Sequence, residues 1–380
     1  MLMEISQITA ISQVDGEAWN KLVEDSYPFL RHEFLLALEA SGCVSAQTGW
    51  QPMHLLVKSA DELLAGMPLY LKTHSRGEYV FDHQWAYAYD QYGQNYYPKY
   101  LTAIPFTPCQ GSRVAISGQT DQAQVISLLV DFIKTETQQN NISSWHCLFP
   151  IVEQLNCFRR LGLPIREGVQ FQWFNKGYQT FDDFLNTLNA SKRKMLKRER
   201  RKVVEQGIKL LQLSGKEASK QQWQVFYDFY QMTYFKHGMP PYLNLEFFLH
   251  CAGSMGERML LVFAQKDDVY VGAALSFIGG ETLYGRYWGC VEEYNALHFE
   301  ACYYQGLDYC IANGLQRFDS GAQGEHKIAR GFEPVTTYSA HWFHDERFTN
   351  AVTAFLVREK TVIQAYKGDA MNYLPFKKAE

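Results

Sequence analysis

The sequence lacks the cysteine and histidine spacings that mark a disulfide framework or a metal site. No two of its eight cysteines have C-x-x-C spacing. Scattered thiols predict free, reduced cysteines and a reducing compartment. His298, His341 and His344 show no metal-ligand spacing to cysteine or aspartate, so we predict no metal. The cysteines are Cys43, Cys109, Cys147, Cys157, Cys251, Cys290, Cys302 and Cys310.

Long hydrophobic runs are also missing. Val125–Ile133 and Met259–Ala264 are the longest apolar stretches, and both fall far short of the ~20 residues that span a bilayer. Residues 1–10 contain no basic segment followed by an apolar run, which argues against a signal peptide. We therefore expect a cytoplasmic protein without membrane insertion.

The chain carries little net charge and few recognisable nucleotide or nucleophile motifs. Its 36 lysines and arginines face 40 aspartates and glutamates, for a net charge of −4. A balance this close to neutral excludes a general attraction to nucleic acid or anionic lipid, so any polyanion site must be local. The patterns G-x-S-x-G, P-loop and G-x-G-x-x-G are absent.

Length and composition predict a multidomain globular protein. A chain of 380 residues suggests two or three domains, and a hydrophobic content of 47% is enough for complete cores. The 25 Phe, 24 Tyr and 8 Trp are an unusual load of aromatic side chains. Tyrosine needs a partner for its hydroxyl when buried, so these residues indicate either a polar-edged core or a tyrosine-rich pocket.

Hydrophobic periodicity predicts an alternation of helices and strands in the first half of the chain. A boundary follows at Asn175–Gly177, so we predict an N-terminal domain of residues 1–176 and a C-terminal domain of residues 177–380. The predicted elements of the first half are helices at Trp19–Val23 and Glu33–Leu38, a hairpin of Met53–Lys58 and Leu63–Lys72, a strand at Tyr79–Asp82, an aromatic loop at His83–Phe106, a helix at Val125–Glu136, a strand at Ser144–Phe149, a helix at Val152–Leu161 and a strand at Gln170–Phe174.

The second half repeats much of this order, which favours duplication of one unit. Its predicted elements are helices at Asp182–Leu188 and Ser191–Gln206, a strand at Ile208–Leu213, helices at Gln222–Phe235 and Glu246–Ala252, a hairpin of Met259–Lys266 and Tyr270–Ile278, a strand at Leu283–Trp288, a helix at Leu297–Asn313, strands at Gln316–Asp319 and Thr336–Phe343, and a helix at Phe348–Gln364. An offset of 206 residues aligns the two hairpins, pairing Met53 with Met259, Leu55 with Leu261, Gly66 with Gly272 and Leu69 with Leu275.

Three stretches carry a family resemblance. They are Phe81–Ala86 continuing to Tyr96–Tyr100, then Pro105–Arg113, and finally Gly321–Lys327 with Arg330–Phe332. With its element order, the chain resembles two tandem Gcn5-related N-acetyltransferase (GNAT) domains, is similar to the Fem peptidoglycan aminoacyl transferases, and looks like predicted N-acyltransferases labelled peptidoglycan biosynthesis/recognition proteins. The resemblance implies a mixed α+β (α/β) fold of two GNAT-like domains, each a mostly antiparallel sheet flanked by helices, and an acyltransferase of unsettled substrate.

Gly321–Phe332 combines small residues with ionisable ones after a predicted strand. Glycines let the backbone approach a ligand closely, and we predict that Gln323 and Gly324 contact substrate. Catalytic bases could come from Glu325 and His326, and anion contacts to a carrier from Lys327 and Arg330. The simpler alternative is a glycine-rich turn with solvated charges.

The aromatic stretch Phe81–Phe106 offers a second set of candidates. Asp82 and His83 at the end of a predicted strand could form a catalytic pair in which the carboxylate orients the imidazole. An ordered Ω-loop packed by its own aromatic rings is the alternative. The side chains that could line an acceptor pocket are Trp85, Tyr89, Tyr96 and Tyr97.

Gln110, Gly111 and Arg113 partly match the pyrophosphate loop Q/R-x-x-G-x-G/A of GNAT enzymes, and we consider them as coenzyme contacts. The next helix begins only near Asp121, and the segment after Trp288 is acidic where pyrophosphate would need donors. A lone partial match of this kind is more often a turn. Binding of acyl-CoA is therefore one possibility among several carriers.

The predicted helix Ser191–Gln206 concentrates positive charge, with eight lysines and arginines between residues 191 and 202. Lys194, Lys197 and Arg201 share one face at helical spacing and could hold a polyanionic carrier. Such a carrier could be tRNA, the 3′-phosphate of coenzyme A or a nucleotide-sugar diphosphate. A solvated helix face is the default alternative.

The predicted strand of domain two that ends at Trp288 supplies Arg286 and Tyr287 as substrate contacts, whereas Trp288 itself is expected in the core. Duplicated domains usually form a ligand-binding cleft at their junction, and Glu300, one turn into the next helix, could face that cleft together with these residues.

Three functions stay open at this point: N-acyl transfer to a small-molecule or peptide amine by direct attack, aminoacyl-tRNA-dependent transfer to a peptidoglycan precursor, and non-catalytic binding of a cell-wall precursor or nucleotide sugar. The oligomeric state is not predicted.

Overall fold

A computed structural model describes residues 3–23, 27–322 and 324–377. The chain divides into two compact units that are not two consecutive stretches. Unit 1 comprises Met1–Gly168 and Thr336–Ala365, and unit 2 comprises Val169–Val335 and Tyr366–Glu380. The predicted boundary at residue 176 lies near the first crossing between units. The prediction wrongly assigns residues 336–365 to the C-terminal domain. Their pairing with strands far away in the sequence leaves no local pattern from which their true unit could be predicted.

In chain order up to residue 174, helices α1–α5 alternate with strands β1–β9. The elements are β1 (Glu4–Ile8), α1 (Gly16–Leu22), α2 (His32–Ala40), β2 (Trp50–Pro52), β3 (His54–Ser59), β4 (Glu62–Met67), β5 (Tyr70–Lys72), α3 (His83–Gln91), β6 (Lys99–Thr102), β7 (Ala115–Ile116), α4 (Gln122–Gln139), β8 (Ser144–Leu148), α5 (Val152–Arg160) and β9 (Ile165–Phe174), with short 3₁₀ turns at Ile11–Gln13 and Pro28–Leu30.

The second part of the chain is similarly mixed. Its elements are α6 (Phe181–Thr187), α7 (Ala190–Glu205), β10 (Lys209–Ser214), α8 (Lys220–Lys236), α9 (Leu245–Met255), a 3₁₀ turn (Gly256–Arg258), β11 (Met259–Lys266), β12 (Val269–Gly279), β13 (Thr282–Cys290), α10 (Leu297–Phe299), a π-helical turn (Glu300–Tyr304), α11 (Gln305–Ala312), β14 (Arg317–Asp319), a 3₁₀ helix (Glu325–Arg330), β15 (Glu333–Phe343) and α12 (Glu346–Asn372).

Each unit contains a mostly antiparallel sheet with one parallel pair. In unit 1, β2, β5, β6, β8 and the end of β15 are neighbours in that order, and only β6 and β8 run parallel. In unit 2 the order is β10-β11-β12-β13-β14-β9, and only β13 and β14 run parallel. A parallel pair needs a crossover, which α4 provides in unit 1 and α10–α11 in unit 2. The order agrees with a GNAT-like unit in each case, and the mixed α+β fold is confirmed.

The two predicted hairpins are present as β3–β4 and β11–β12. Each has a two-residue turn, at residues 60–61 and 267–268, and each has a β-bulge whose extra residue, Leu64 or Val271, lies three residues after that turn. Matching turn to turn and bulge to bulge gives an offset of 207 residues. The predicted offset of 206 is wrong by one, because alternating apolar residues do not by themselves fix a register.

The stretch after residue 78 differs from its prediction. Tyr79–Asp82 is not a strand, and residues 83–106 are not one irregular loop, because they contain α3 and β6. Trp85 and Tyr89, four residues apart, are buried on one face of α3, which is the spacing of a helix. Tyr87 lies between them on an exposed face, and the resulting aromatic residue at every second position obscured the helical period.

Each unit has its own hydrophobic core. In unit 1, α4 packs Val125, Leu129 and Ile133 against the sheet, together with Trp145 of β8. In unit 2, the core surrounds Phe318 of β14 and includes residues of β13, the π-helical turn and α11. These cores fix the ends of the parallel strands, where the candidate residues lie.

Candidate functional site

Strands β13 and β14 of unit 2 separate soon after they begin to pair. Only Thr282–Tyr284 are in register with Arg317–Asp319, while β13 continues to Cys290. A bulge makes Arg286 the extra residue of β13, because Leu275 pairs with Tyr287 and Ser276 with Gly285. The separation leaves a cavity of about 120 Å³. Its lining is Ala274, Leu275, Ser276, Gly285, Arg286, Tyr287, Trp288, His298, Cys302, Tyr303 and Ser320.

A second cavity of about 750 Å³ shares Trp288 and His298 with the first. The two cavities therefore meet around these side chains, within unit 2. Trp288 is partly buried and packs against two core clusters of unit 2, as expected, while one side of it borders the cavities. The second lining is Thr233, Lys236, His237, Trp288, Cys290, Glu293, Tyr294, Asn295, Ala296, Leu297, His298 and Phe299.

A π-helical turn between α10 and α11 supplies part of the first cavity. The predicted helix Leu297–Asn313 is interrupted at Glu300–Tyr304, and turns of this type are often found at functional sites. Cys302 and Tyr303 line the cavity. In the same turn the Glu300 and Tyr304 side chains are buried and have polar partners in unit 2. The wider turn thus directs neighbouring side chains to different surroundings.

Three side chains form a neutral cluster beside this cavity. The Tyr303 hydroxyl lies 2.9 Å from His326 Nε2, and the His298 and His326 ring centroids are 6.0 Å apart. Burial, with His326, Arg330 and Lys327 nearby, lowers the pKa of His298 to about 4. Burial and the same two cations also lower the pKa of His326. Both imidazoles are therefore neutral at pH 7.

Arg330 fixes the 3₁₀ helix that carries His326. Its guanidinium donates to Glu199 at 2.8 and 3.0 Å, to the Tyr304 hydroxyl at 3.1 Å and to the His326 carbonyl at 2.7 Å. It also lies 3.4 Å from the centroid of the Phe299 ring. These four hydrogen bonds engage most of the N–H groups of a buried cation, so Arg330 positions the turn rather than facing a carrier.

Lys327 has a similar role. Its side chain is 2% exposed, and its ammonium donates to the carbonyls of Ser320 at 3.1 Å and Gly321 at 2.8 Å. Lys327 therefore ties the segment after β14 to the 3₁₀ helix.

The other predicted residues of this stretch are placed separately. Glu325 is exposed and accepts a 2.9 Å hydrogen bond from the Tyr366 hydroxyl. Gly324 begins the 3₁₀ helix at a φ of +104°, a conformation that favours glycine. Gln323 lies outside the described residues. Arg286 and Tyr287 both line the smaller cavity.

A buried ion network extends behind the π-helical turn. Arg200 donates to Glu300 at 3.1 Å and to Asp308 at 2.6 Å. Burial raises the pKa of Glu300 although Arg200 opposes the shift. Glu300 is 4% exposed, so it supports the turn and does not face the cavity.

In unit 1, Asp82 belongs to a buried network and not to a pair with His83. It accepts hydrogen bonds from Lys99, from the Tyr96 hydroxyl at 2.7 Å and from the Ser75 hydroxyl at 3.0 Å. Burial acts to raise the pKa of Asp82, but Lys99 and these donors lower it overall. His83 is exposed and stacks on Phe81. The predicted pair is therefore wrong in its geometry, because Asp82 faces the interior at the start of α3.

The four aromatic candidates of unit 1 divide into core and cavity residues. Trp85 packs edge-on against His341 with a centroid distance of 4.7 Å, and Tyr96 bonds to His146 as well as to Asp82. Tyr89 and Tyr97 line a third cavity, of about 510 Å³. Trp85 and Tyr96 are buried and do not line this cavity.

Gln110, Gly111 and Arg113 form an internal loop. Arg113 is 1% exposed and donates to the carbonyls of Leu148 and Cys109, both at 2.6 Å. It also donates to the Gly111 and Ser112 carbonyls and to the Tyr27 hydroxyl. A Cβ on Gly111 would lie 2.3 Å from the Tyr27 ring, and Gln110 donates to the Pro150 carbonyl. This geometry contradicts a coenzyme contact, because the donors are consumed within the loop.

The segment after β13 offers few donors to a pyrophosphate. The backbone N–H groups of Val291, Asn295 and Leu297 bond to Val271, Gln206 and Tyr294, respectively, within unit 2. Glu293 lines the adjacent cavity. In unit 1 the N-terminus of α4 is capped by the Asp121 carboxylate, which accepts from Ala123. Several of the backbone N–H groups that could bind phosphate in these two segments are therefore already engaged within the chain.

The basic helix is confirmed as α7, and its charges divide between internal pairs and solvent. Lys197 lies 3.3 Å from Asp182, and Arg201 lies 3.2 Å from Glu205. Lys194 is exposed. Five cations have no carboxylate within ion-pair distance among the described residues: Lys192, Arg193, Lys194, Arg198 and Lys202.

Metal-binding clusters and membrane-spanning helices are both absent from residues 3–23, 27–322 and 324–377. No group of three or more histidine, cysteine, aspartate or glutamate side chains in these ranges is arranged to hold a metal ion. No helix in that part of the chain is long and apolar enough to cross a membrane.

Sequence reasoning missed His298, Tyr303, Cys302 and Ser320 as cavity residues. His298 and Cys302, four residues apart, follow a helical spacing that could have flagged one face. The π-helical turn adds Tyr303 to that face, and no sequence pattern announces such a turn. Ser320 follows β14 directly, at the end of a strand where ligand contacts are common.

The sequence matches a known protein family. The family FemAB_like, described as peptidoglycan biosynthesis/recognition, matches residues 10–378. No curated protein matches the chain significantly. The crystal structure of FemX aligns with 11% identity and a TM-score of 0.55, over 92% of this chain and 100% of that one.

Two further structures have the same kind of similarity. The C-terminal domain of a protein assigned as a lysylphosphatidylglycerol synthetase from Agrobacterium fabrum aligns with 9% identity and a TM-score of 0.54, over 93% of this chain and 98% of that one. A tandem GNAT protein from the clavulanic acid pathway aligns with 8% identity and a TM-score of 0.49, over 90% and 99%. At such identities the likeness to FemX and to the Agrobacterium fabrum domain speaks to the fold alone, whereas the family match covers nearly the whole sequence. The chain belongs to the FemAB-like family of peptidoglycan biosynthesis and recognition proteins.

Proposed function

We propose that this protein is an N-acyltransferase that moves an acyl or aminoacyl group from an activated carrier to an amine by direct attack. The reaction centre is the cavity between β13 and β14 of unit 2. The observation that carries the proposal is the neutral cluster of His326, Tyr303 and His298 beside that cavity. Membership in a peptidoglycan biosynthesis family supports a transferase with a small-molecule or peptide amine as acceptor.

The cluster can remove the proton that the attacking amine must lose. His326 is neutral because partial burial and two nearby cations lower its pKa, so its unprotonated ring nitrogen can accept a proton at pH 7. Tyr303 reaches the cavity and hydrogen-bonds to His326. It can therefore pass a proton from the amine to the imidazole and return one to the leaving group.

The carbonyl oxygen becomes negative during the attack and needs hydrogen-bond donors. Arg286 of β13 lines the cavity, and an arginine side chain can stabilise a negative charge that develops there. In this proposal β13 supplies the oxyanion contact, and Lys327 and Arg330 keep the His326 turn in place.

The structure supports two different carriers of the acyl group. Acyl-CoA is one candidate, but engaged backbone N–H groups and Glu293 beside the larger cavity do not favour pyrophosphate. Aminoacyl-tRNA with a peptidoglycan precursor as acceptor is the second candidate. It is favoured by the unpaired cations of α7, which suit a polyanion.

The test is turnover by the full chain. Purified protein is supplied with acetyl-CoA or with charged tRNA and an amine panel that includes a peptidoglycan precursor, and products are identified by mass spectrometry. His326→Ala should lower kcat about 10²- to 10⁴-fold, as expected for loss of a general base. Because the pKa of His326 is lowered, wild-type kcat should be flat around pH 7 and fall only in acid.

His250→Ala is the matched control, since His250 is exposed elsewhere in unit 2, and it should retain wild-type kcat. Equal turnover by wild type and His326→Ala would contradict the assigned base. Precursor binding without product from either donor would instead favour a non-catalytic binding module.

A further inference from the structure

The cavity of about 510 Å³ in unit 1 shares no residue with the proposed reaction centre. It opens where β6 and β8 begin, and it is formed by the segment after α3, the turn before β8 and the residues after β15. Cavities that bind small ligands usually have volumes of ~300–1,000 Å³. This one is therefore large enough for a single sugar-sized molecule.

Amide groups dominate the polar lining. The Asn95 and Asn141 side chains and the His344 imidazole have no hydrogen-bond partner among the described residues, and all three border the cavity. Gln94 also lines it and makes only a 3.5 Å contact to Asp345. Each amide offers both donors and an acceptor in one plane. Groups of this kind match hydroxyls, which also donate and accept.

The lining lacks the charge that an anionic ligand would need. No lysine or arginine is among the described residues that border the cavity, whereas phosphates and carboxylates are held by cations. The one carboxylate, Asp345, is already paired with Arg347 at 2.5 Å. An uncharged polar ligand is therefore favoured over a nucleotide or a phosphorylated one.

Two tyrosines provide rigid apolar walls. The Tyr89 ring stacks on Phe348 with centroids 3.8 Å apart, and its hydroxyl donates to the Ser143 carbonyl at 3.3 Å. The Tyr97 hydroxyl lies 2.8 Å from Ser75 Oγ. Both rings are thus held before any ligand arrives, which lowers the entropy cost of binding.

We infer that this cavity binds an uncharged saccharide. Its hydroxyls pair with Gln94, Asn95, Asn141 and His344, and the C–H face of its ring packs against a tyrosine. The ligand is either a free monosaccharide or one residue of a glycan chain. This inference does not rest on acyl transfer, because it concerns binding in unit 1 alone.

The test is binding to the full chain by calorimetry and ligand-observed NMR. The probes are N-acetylglucosamine, its β-1,4-linked tetramer, N-acetylglucosamine 6-phosphate and triglycine. We expect saturable binding of the two neutral saccharides. Asn95→Ala and His344→Ala should each weaken it about threefold to tenfold, the value of one or two hydrogen bonds. Both positions are solvent-accessible at least in part, so folding is not at risk.

Gln124→Ala removes an exposed amide of α4 that does not border the cavity and serves as the matched control. Tighter binding of the tetramer would support a glycan chain as the source, and equal affinities a free sugar. Absence of saccharide binding, stronger binding of the phosphate or of triglycine, or equal binding by all variants would overturn the inference.

Discussion

Arg113 and Arg330 hold groups inside the chain and do not face solvent. Each guanidinium is almost fully buried and has carbonyl, hydroxyl or carboxylate oxygens at hydrogen-bond distance. Sequence reasoning identified both as coenzyme contacts, since a glycine beside an arginine is also the composition of an anion site. Residue type was informative, but whether a cation is satisfied internally depends on tertiary packing that the sequence does not reveal.

We expect protonation of His298 to lower the free energy of unfolding in acid. Its pKa is about 4 in the folded chain and near 6.5 when unfolded, so the unfolded state binds the proton more tightly. Above pH 6.5 the imidazole is neutral in both states and its burial does not reduce stability. As the pH falls toward 4, the free energy of unfolding decreases by up to about 3 kcal/mol. The free energy of unfolding is measured by urea titration at pH 7 and pH 4.5, with a spectroscopic signal from unit 2. The difference between the two pH values should be smaller in His298→Gln than in the wild type.

The exposed His250 offers the comparison for that measurement, because His250→Gln should preserve the wild-type dependence on pH. An unchanged difference in His298→Gln would mean that another group of unit 2, such as His326, whose pKa is also lowered, accounts for the acid sensitivity.

Helix α7 has two kinds of charge on one element. Glu199 and Arg200 face inward and bond to Arg330 and to Glu300 with Asp308, whereas Lys194 and Arg198 are at least partly exposed and unpaired among the described residues. Lys194 and Arg198, four residues apart, share a face. The sequence therefore predicted the basic helix correctly but not which of its charges are consumed.

This exposed face predicts a salt-dependent interaction with a polyanion. Replacing Lys194 and Arg198 together by glutamine should weaken tRNA binding and lower the slope of log K against log salt by about 2, roughly one for each phosphate that is no longer neutralised. Fluorescence titration between about 50 and 200 mM salt measures the slope.

Lys209→Gln removes an exposed cation of β10 in the same unit and should leave the slope as it is. Identical slopes for all three proteins would show that α7 does not carry the polyanion.

Elements with strong periodicity were predicted well, and those set by long-range packing were not. The helix α4 and the hairpin β11–β12 have clear apolar patterns and lie close to their predicted bounds. Helix α3 was missed because Tyr87, between Trp85 and Tyr89, places an aromatic residue at every second position and hides the helical period of the two buried ones. The π-helical turn at Glu300–Tyr304 was also missed, since its extra residue shifts the pattern within an otherwise helical stretch.

At the scale of the whole molecule, the chain leaves unit 1 and later returns to it. Residues 336–365 complete unit 1 by pairing β15 with β8 and by packing Phe343 and Phe348 in a cluster with Trp85. The predicted division at residue 176 omits these interactions. Duplication explains the repeated order of elements, but a continuous domain per copy does not follow from it.

A fragment of residues 1–168 should therefore fail to fold cooperatively. It lacks Phe343, Phe348, Val352 and Leu356, all buried in unit 1, and each is worth ~1.5–3 kcal/mol of burial. Their sum approaches a typical total stability of ~5–15 kcal/mol. Joining residues 1–168 to 336–365 through a short glycine–serine linker should restore a cooperative thermal transition measured by circular dichroism.

A short linker suffices because the His341 N–H donates to the Pro164 carbonyl at 3.0 Å, so the two segments already lie together. A sharp transition in the 1–168 fragment alone would contradict the expectation, as would a joined protein that remains unfolded.

The return of the chain to unit 1 also bears on biosynthesis. The ribosome must add about 200 residues after Gly168 before the closing segment is complete, which takes roughly 10–40 s at ~5–20 residues per second. During that interval the edge of β8 that will receive β15 has no partner of its own, and exposed strand edges favour aggregation. The nascent protein is therefore expected to depend on chaperones until translation passes residue 365.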